Sequence, residues 1–148
     1  MVSWICERGG VMNLPKLRAW DKWSEKMIEE VTLIDYNNQE MAFGDGVLFM
    51  KDFDCVEFMR ATGLYTVPLC PELDYERKEI FEGDILKWYY SEGIELQQQG
   101  TFVVVFENGA FRPNKGNDIT LHDLLEDCDY AEIIGNIYEN PELLEEVK

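Results

Sequence analysis

Short apolar segments separated by turn-forming residues run through the first half of the chain. Residues 17–20 and 27–35 are rich in the aromatic and β-branched side chains that favour strands. Gly44 and Gly46 can adopt the positive φ that a tight turn requires. Further strands are predicted at 40–43, 47–50 and 55–60. The pattern predicts an N-terminal β-meander over residues 14–65.

A proline-containing segment separates this half from the rest of the chain. Pro68 and Pro71 are close together, and proline is excluded from central strands because it lacks the N–H. We therefore interpret residues 66–79 as a loop or linker. Two strong strands are predicted at 85–90 and 101–106, and Asn108-Gly109 after the second one predicts a hairpin turn.

Two short helices are predicted near the C-terminus, separated by a strand at 131–134. Thr120 is placed to cap the first helix, and Asn140 with Pro141 opens the second. The apolar stripe of the first consists of Leu121, Leu124, Leu125 and Cys128. The second has an apolar face of Leu143, Leu144 and Val147 and an acidic face of Glu142, Glu145 and Glu146. We expect the apolar face to cover the protein's own sheet or a second copy. The predicted fold is therefore mainly β with two short C-terminal α-helices, in two packed halves, with the second half spanning 80–148.

The net charge of −17, from 13 basic and 30 acidic residues, limits the partners of the protein. A surface this negative repels phosphate backbones and anionic membranes, so we expect no direct nucleic-acid or membrane binding. The acidic residues are densest in 113–148. That region either attracts a partner with a basic surface or forms solvated helix faces with no partner.

The cysteines and the single histidine predict no metal site and no cofactor. Cys6, Cys55, Cys70 and Cys128 form no CxxC pair, and His122 stands alone. The sequence has no secretory signal and no stretch of about 20 apolar residues, which predicts a reducing cytoplasm.

The first residues give a separate prediction about where translation begins. Residues 7–10, Glu-Arg-Gly-Gly, match a translated ribosome-binding sequence just before Met12. We therefore interpret residues 1–13 as a disordered or mis-annotated leader.

Four groups of residues have the chemistry of a site, and we interpret each one structurally. Gly83-Asp84 resembles a phosphate-binding turn but lacks the other glycines and the lysine of a P-loop. His122 is the residue type of a Cys-His nucleophile, yet it lies on the polar face of its predicted helix. An aromatic binding platform or core packing would use Trp20, Trp23, Trp88, Tyr89 and Tyr90. Adjacent carboxylates that would have to converge on Mg²⁺ are Glu29-Glu30, Glu126-Asp127 and Glu145-Glu146. We assign no catalytic, cofactor-binding or metal-ligating residue.

Six motifs in order give the chain a resemblance to a known family. They are LRAWD (17–21), KMIE (26–29), TGL (62–64), EIFEGDILKW (79–88), VVFENGAF (104–111) and IIGNIYENPELL (133–144). The chain resembles the YopX family of phage and prophage proteins over about 16–146. The resemblance implies an SH3-like β-barrel or roll with an acidic C-terminal helix, so that 80–148 becomes the barrel half. It implies no activity. The segment 65–78 is longer than usual for the family and contains two prolines.

Three functions of different classes follow from these observations. The leading hypothesis is a phage accessory protein without enzymatic activity, which binds an unknown host or phage protein in the host bacterial cytoplasm and has the capacity to form a homo-oligomer. The alternative is an acidic mimic of nucleic acid that inhibits a host DNA-binding enzyme. An enzyme with a carboxylate-bound metal is the third.

Overall fold

The computed structural model of the chain describes residues 16–35, 37, 38, 40–43, 47–50, 53–70, 72, 76–115 and 118–147. The chain divides into two compact units, Met1–Ala61 and Thr62–Lys148. The division falls within a strand rather than in a loop. The predicted leader, residues 1–13, lies outside the described residues.

The first unit contains an antiparallel sheet whose strands are four to ten residues long. In chain order the strands are β1 (Leu17–Asp21), β2 (Lys26–Asp35), β3 (Glu40–Phe43), β4 (Val47–Met50) and β5 (Val56–Tyr65). Their order across the sheet is β4-β3-β2-β1-β5. One apolar cluster of buried side chains consists of Ala19, Val31, Ile34, Met41 and Val56. A 3-10 turn at Phe53–Cys55 precedes β5.

The turn between β1 and β2 is closed by the buried carboxylate of Asp21. This carboxylate accepts the backbone N–H of Trp23 at 3.0 Å and the hydroxyl of Ser24 at 2.8 Å. An aspartate that bonds the backbone two residues later is a typical turn-forming arrangement. The end of β5 belongs to the second unit, where it lies beside β6 (Glu79–Phe81) in the sheet.

The second unit contains a four-stranded antiparallel sheet of order β10-β7-β8-β9. Its strands are β7 (Asp84–Glu92), β8 (Glu95–Glu107), β9 (Ala110–Pro113) and β10 (Tyr130–Asn136). Asn108 and Gly109 join β8 to β9 with φ of 51° and 80°. Two successive positive φ values are those of the hairpin turn that Asn-Gly predicts.

Both faces of this sheet are covered, which explains why residues 101–104 are buried without alternation. On one face, Leu86, Phe102 and Val104 pack with Ile80 and with the first helix, α1 (Leu121–Asp127). On the other face, Ile85 and Val103 pack with Val147. A strand buried on both sides needs apolar residues at every position rather than at every second one.

The mainly β prediction is confirmed, but two finer features of it are not. Closure of an SH3-like barrel would pair the outermost strands of the sheet, and no pairing of β9 with β10 is found among the described residues. The second predicted helix is reduced to a 3-10 turn, Pro141–Leu143, and four α-helical residues, α2 (Leu144–Val147). The predicted cap Asn140 makes no side-chain capping bond; its amide accepts the N–H of Asn136 instead. Among the described residues, no helix is long and apolar enough to cross a membrane.

Candidate functional site

A cleft of about 440 Å³ lies in the second unit, between the segment after β5 and the outer strand β10. We call it the loop cleft. Its lining includes Val67, Pro68, Leu69, Arg77, Tyr130 and Glu132.

Hydrogen bonds on two sides hold Thr66 and Val67, at the start of the segment that forms one wall. Thr66 donates to the carbonyl of Lys78 at 2.9 Å, and the Lys78 N–H returns to Thr66 Oγ1 at 2.9 Å. Val67 then exchanges two bonds of 3.1 Å with Ala131 of β10. This pair is an isolated bridge and not part of a longer ladder.

Two tyrosines and a glutamate form a hydrogen-bonded cluster at the opposite wall. Tyr130 Oη donates to Glu132 Oε2 at 2.7 Å, and Tyr89 Oη donates to Glu132 Oε1 at 3.2 Å. Tyr130 and Glu132 share a face because they are two residues apart on β10, and the register pairs Tyr130 with Tyr89. The two rings lie 5.1 Å apart in a tilted arrangement.

The cluster raises the pKa of both phenols. Burial, and then the hydrogen bond to and charge of Glu132, raises the pKa of Tyr130 to about 12. Burial, followed by the charge of and hydrogen bond to Glu132, also raises the pKa of Tyr89. Both hydroxyls therefore remain protonated donors at neutral pH, which does not suit a general base.

A second cleft of about 600 Å³ shares Val67, Pro68, Leu69 and Arg77 with the loop cleft. The segment 67–69 is therefore a ridge with open space on both sides. Leu69 is 56% exposed on this ridge, and Tyr65 just before it is 40% exposed. The guanidinium of Arg77 lies 5.6 Å from the centre of the Tyr65 ring, within the range of a cation–π contact.

Gly83-Asp84 forms a structural turn, as interpreted from the sequence. Gly83 has φ of 89°, and the buried Asp84 carboxylate accepts the N–H of Phe81 at 2.8 Å. The Gly83 carbonyl accepts the N–H of Ile137 at 3.0 Å. The motifs EIFEGDILKW (79–88) and IIGNIYENPELL (133–144) therefore meet in one corner, where the β10–β7 register also pairs Asn136 with Asp84. These motifs maintain the fold of the second unit.

The five aromatic residues proposed for a platform have different environments. Trp88 packs against the apolar core of the second unit and makes an edge contact of 5.3 Å with Tyr90. Tyr89 belongs to the cluster with Glu132. Trp20 is half-buried in the first unit, but Trp23 is 83% exposed there, so core packing is wrong for Trp23. Its indole N–H donates to Cys55 Sγ at 2.9 Å.

The remaining candidates have no arrangement that indicates catalysis. His122 is exposed on α1. Burial is the main cause that raises the pKa of the Cys128 thiol to about 11, the opposite of what activates a nucleophile.

In the described part of the chain, the carboxylate pairs do not form a metal-binding arrangement. Glu29, Glu30, Glu126, Asp127 and Glu145 are exposed, and the side chain of Glu146 lies outside the described residues. Among the described residues, no three His, Cys, Asp or Glu side chains converge on a metal position. The absence of a metal and of a cofactor stays a prediction.

Sequence reasoning did not identify the cluster of Tyr130 and Glu132. The signal was the alternation Tyr-Ala-Glu at the start of β10, which places both polar side chains on one face. Their contact with Tyr89 depends on the β10–β7 register, which the sequence does not show.

Comparison with protein families matches residues 16–145 to the family described as YopX protein. The chain belongs to the YopX family. Among solved structures, this YopX-family chain is similar to the crystal structure of protein EF1440 from Enterococcus faecalis. The two are 26% identical, with a TM-score of 0.60, over 88% of this chain and 98% of that one. No curated protein matches the chain.

Proposed function

We propose that this YopX-family chain is a phage or prophage accessory protein without enzymatic activity, which binds a host or phage protein in the bacterial cytoplasm through the loop cleft. The observation that carries the proposal is the exposure of Leu69, 56%, on a ridge between two clefts of about 440 and 600 Å³. Leu69 continues an apolar stretch with Val67 and Pro68, and charged side chains of the same cleft surround that stretch. An apolar patch rimmed by polar residues beside a groove is typical of protein-binding surfaces.

The chemistry of the loop cleft suits a segment of another protein. Pro68 and Leu69 offer an apolar contact, while Glu76 and Glu132 offer carboxylates and Lys78 a cation. An ionised carboxylate has about four lone-pair sites, so Glu132 can accept a further bond beyond those from the two tyrosines. We expect a partner segment with an apolar side chain against Leu69 and a hydrogen-bond donor or cation towards Glu132.

The groups of the cleft favour binding over catalysis. A tyrosine phenol keeps its proton at neutral pH, and the raised pKa values of Tyr89 and Tyr130 move both phenols further from acting as bases. Glu132 accepts a hydrogen bond from each of them. Cys128 lines the second cleft, and its raised pKa leaves little thiolate there.

A nucleic-acid mimic is a second candidate, because residues 116–147 contain no Lys or Arg. Exposed carboxylates of this region belong to Asp118, Asp123, Glu126, Asp127, Asp129, Glu139, Glu142 and Glu145. Such a surface would be recognised by the basic groove of a DNA-binding enzyme. This candidate predicts that binding is lost at high salt and when Glu126 and Asp127 are neutralised. It also predicts that substitutions in the loop cleft do not change binding.

The experiment is capture of a partner from host lysate by the immobilised full chain, followed by binding measurements with that partner after purification. Leu69→Asp places a charge on the ridge and is expected to weaken binding by at least about 10-fold, as loss of a central apolar contact does. Trp23→Ser is the matched control, because Trp23 is also an exposed apolar residue but belongs to the first unit. Equal binding by wild type and Leu69→Asp would refute the loop cleft as the contact surface. If the captured partner is a DNA-binding enzyme, and only neutralising Glu126 and Asp127 abolishes its binding, the result would favour nucleic-acid mimicry.

A further inference from the structure

Strand β10 is an outer strand of its sheet, and its outer edge carries backbone groups for one more strand. The β10–β7 register pairs Ala131 with Trp88 and Ile133 with Leu86 without a shift between them. Ala131 directs its N–H and C=O away from β7, because both bond to Val67. Hydrogen bonding alternates by residue in an antiparallel pair, so Ile133 directs its N–H and C=O to the same outer edge.

The chain covers this edge at one residue. The bridge between Val67 and Ala131 is isolated, so pairing does not continue to Ile133 among the described residues. In antiparallel pairing the residue opposite Ile133 would be Tyr65, which is the last residue of β5. Thr66 bonds Lys78 instead of β10, and on the other side of the bridge Pro68 has no N–H. Ile133 lines the loop cleft, so its outward backbone groups lie beside open space.

The covering segment is thinly packed. Val67, Pro68 and Leu69 line both the loop cleft and the second cleft, so space lies on either side of them. Val67 and Pro68 are half-buried, and Leu69 is exposed. A segment with two backbone bonds and little packing opens more easily than the core of the sheet.

We infer that a partner binds by adding an extended segment to the outer edge of β10, where it replaces Val67 as the neighbour of Ala131 and pairs with Ile133 as well. The inference rests on the proposed function and specifies its mode. The segment that fits is extended, has a β-branched or other apolar side chain in place of Val67, and has free N–H groups at the two bonding positions. Addition of a strand to an exposed edge is an established way for proteins to bind peptides, with main-chain bonds giving affinity.

The probe that tests the inference is a synthetic peptide with the sequence of residues 62–69, which contains the covering segment itself. Labelled with fluorescein, it should bind the wild-type chain measurably in anisotropy titrations. The same peptide N-methylated at the residue equivalent to Val67 keeps every side chain but loses the donor to Ala131, so it should bind at least about 10-fold more weakly. Equal binding of the two peptides, or no binding of either, would overturn the inference.

A second experiment uses a disulfide that links the covering segment to β10 and so prevents the edge from opening. Residues in a bonded antiparallel pair have Cα atoms about 5.5 Å apart, within the range that a disulfide spans. Val67→Cys with Ala131→Cys, in a Cys70→Ser background, should bind the peptide when reduced and lose binding when oxidised. The reduced sample is the matched control, because it has the same sequence. If the pair does not cross-link or fold, the N-methyl comparison on the wild-type chain decides alone.

Hydrogen exchange of the uncomplexed full chain gives an independent readout. The Ala131 and Val67 amides should exchange at least about 100-fold faster than those of Leu86 and Phe102 in the buried sheet, because the cover opens locally. Exchange of all four at one slow rate would overturn the inference. A partner that still binds the oxidised double-cysteine variant but is lost on Leu69→Asp would refute strand addition and leave the proposed function standing.

Discussion

Replacement of Asn136 by alanine should destabilise the second unit strongly for so small a change. The side chain is 5% exposed, and its Oδ1 accepts the N–H groups of Tyr138 at 3.0 Å and Glu139 at 2.8 Å. Its Nδ2 donates to Glu139 Oε1 at 2.8 Å. Alanine removes all three hydrogen bonds while the two backbone donors stay in the corner.

The magnitude follows from the number of bonds. A hydrogen bond contributes about 0.5–1.5 kcal/mol net, and a buried donor left without an acceptor costs about 1–3 kcal/mol. Three bonds, partly compensated by water at the exposed Glu139, give a loss of roughly 2–4 kcal/mol in the free energy of unfolding. For a chain near 150 residues each kcal/mol lowers the Tm by about 2–4 °C, so we expect a decrease of roughly 5–15 °C.

The assay is thermal unfolding by circular dichroism, with urea unfolding at an unchanged m value as a check that stability alone has changed. Asn140→Ala is the matched control. Its Oδ1 accepts one N–H, that of Asn136, at a long 3.3 Å, and its Nδ2 reaches Glu142 only at 3.5 Å, so its loss should cost about 1 kcal/mol, clearly less than the loss of Asn136. If Asn136→Ala and Asn140→Ala have the same Tm, the side-chain amide of Asn136 does not hold the corner together, and the reasoning is refuted.

Three further predictions concern the same unit. Leu143→Ala with Leu144→Ala removes half-buried side chains that pack beside Val147, and should lower the free energy of unfolding by about 2–5 kcal/mol in urea titrations. The pKa of Tyr130 is raised from 10.0 to about 12 in the folded state, so the folded chain keeps this proton to a higher pH than the unfolded chain does. The stability that results is complete below pH 10 and is lost as the pH rises towards 12. Absorbance at 295 nm should show a titration near pH 12 that Tyr130→Phe lacks. Cys128, with its pKa raised from 9.0 to about 11, should react with a disulfide reagent at pH 8 about 100-fold more slowly than the exposed Cys70, and equal rates would contradict its burial.

Local signals in the sequence predicted the parts of the fold that depend on local chemistry. Asn108-Gly109 forms its hairpin turn because both residues tolerate positive φ. Thr120 caps α1 as expected, with its side chain accepting the N–H of Asp123. These features depend on residues close in sequence, so a single chain suffices to predict them.

Features that depend on distant residues were predicted less well. Asn140 looked like a helix cap, but its amide bonds Asn136 because the chain turns sharply after Gly135. The space at Gly135 is filled by Asn140 and by Leu143, whose Cδ1 would lie 2.9 Å from an added Cβ. The Asn140 side chain therefore packs against Gly135 and bonds Asn136, and it is not available to cap the predicted C-terminal helix.

The candidate site depends on strand register, which the sequence does not reveal. A register shift between Ile133 and Gly135 sets which residues of β7 and β10 meet, and it brings Tyr89 opposite Tyr130. A slip of one residue would turn Glu132 to the other face of the sheet and abolish the cluster. The long segment 65–78 was recognised as unusual from its prolines, but its bridge from Val67 to Ala131 required the structure.

We claim that a partner protein binds at the loop cleft, and amide hydrogen exchange of the full chain with and without that partner tests this. We predict that binding slows exchange in 66–69, 76–78 and 130–133, while the exposed turn around Trp23 is unchanged. Slowed exchange confined to the acidic region 118–129, or to the first unit, would contradict the claim.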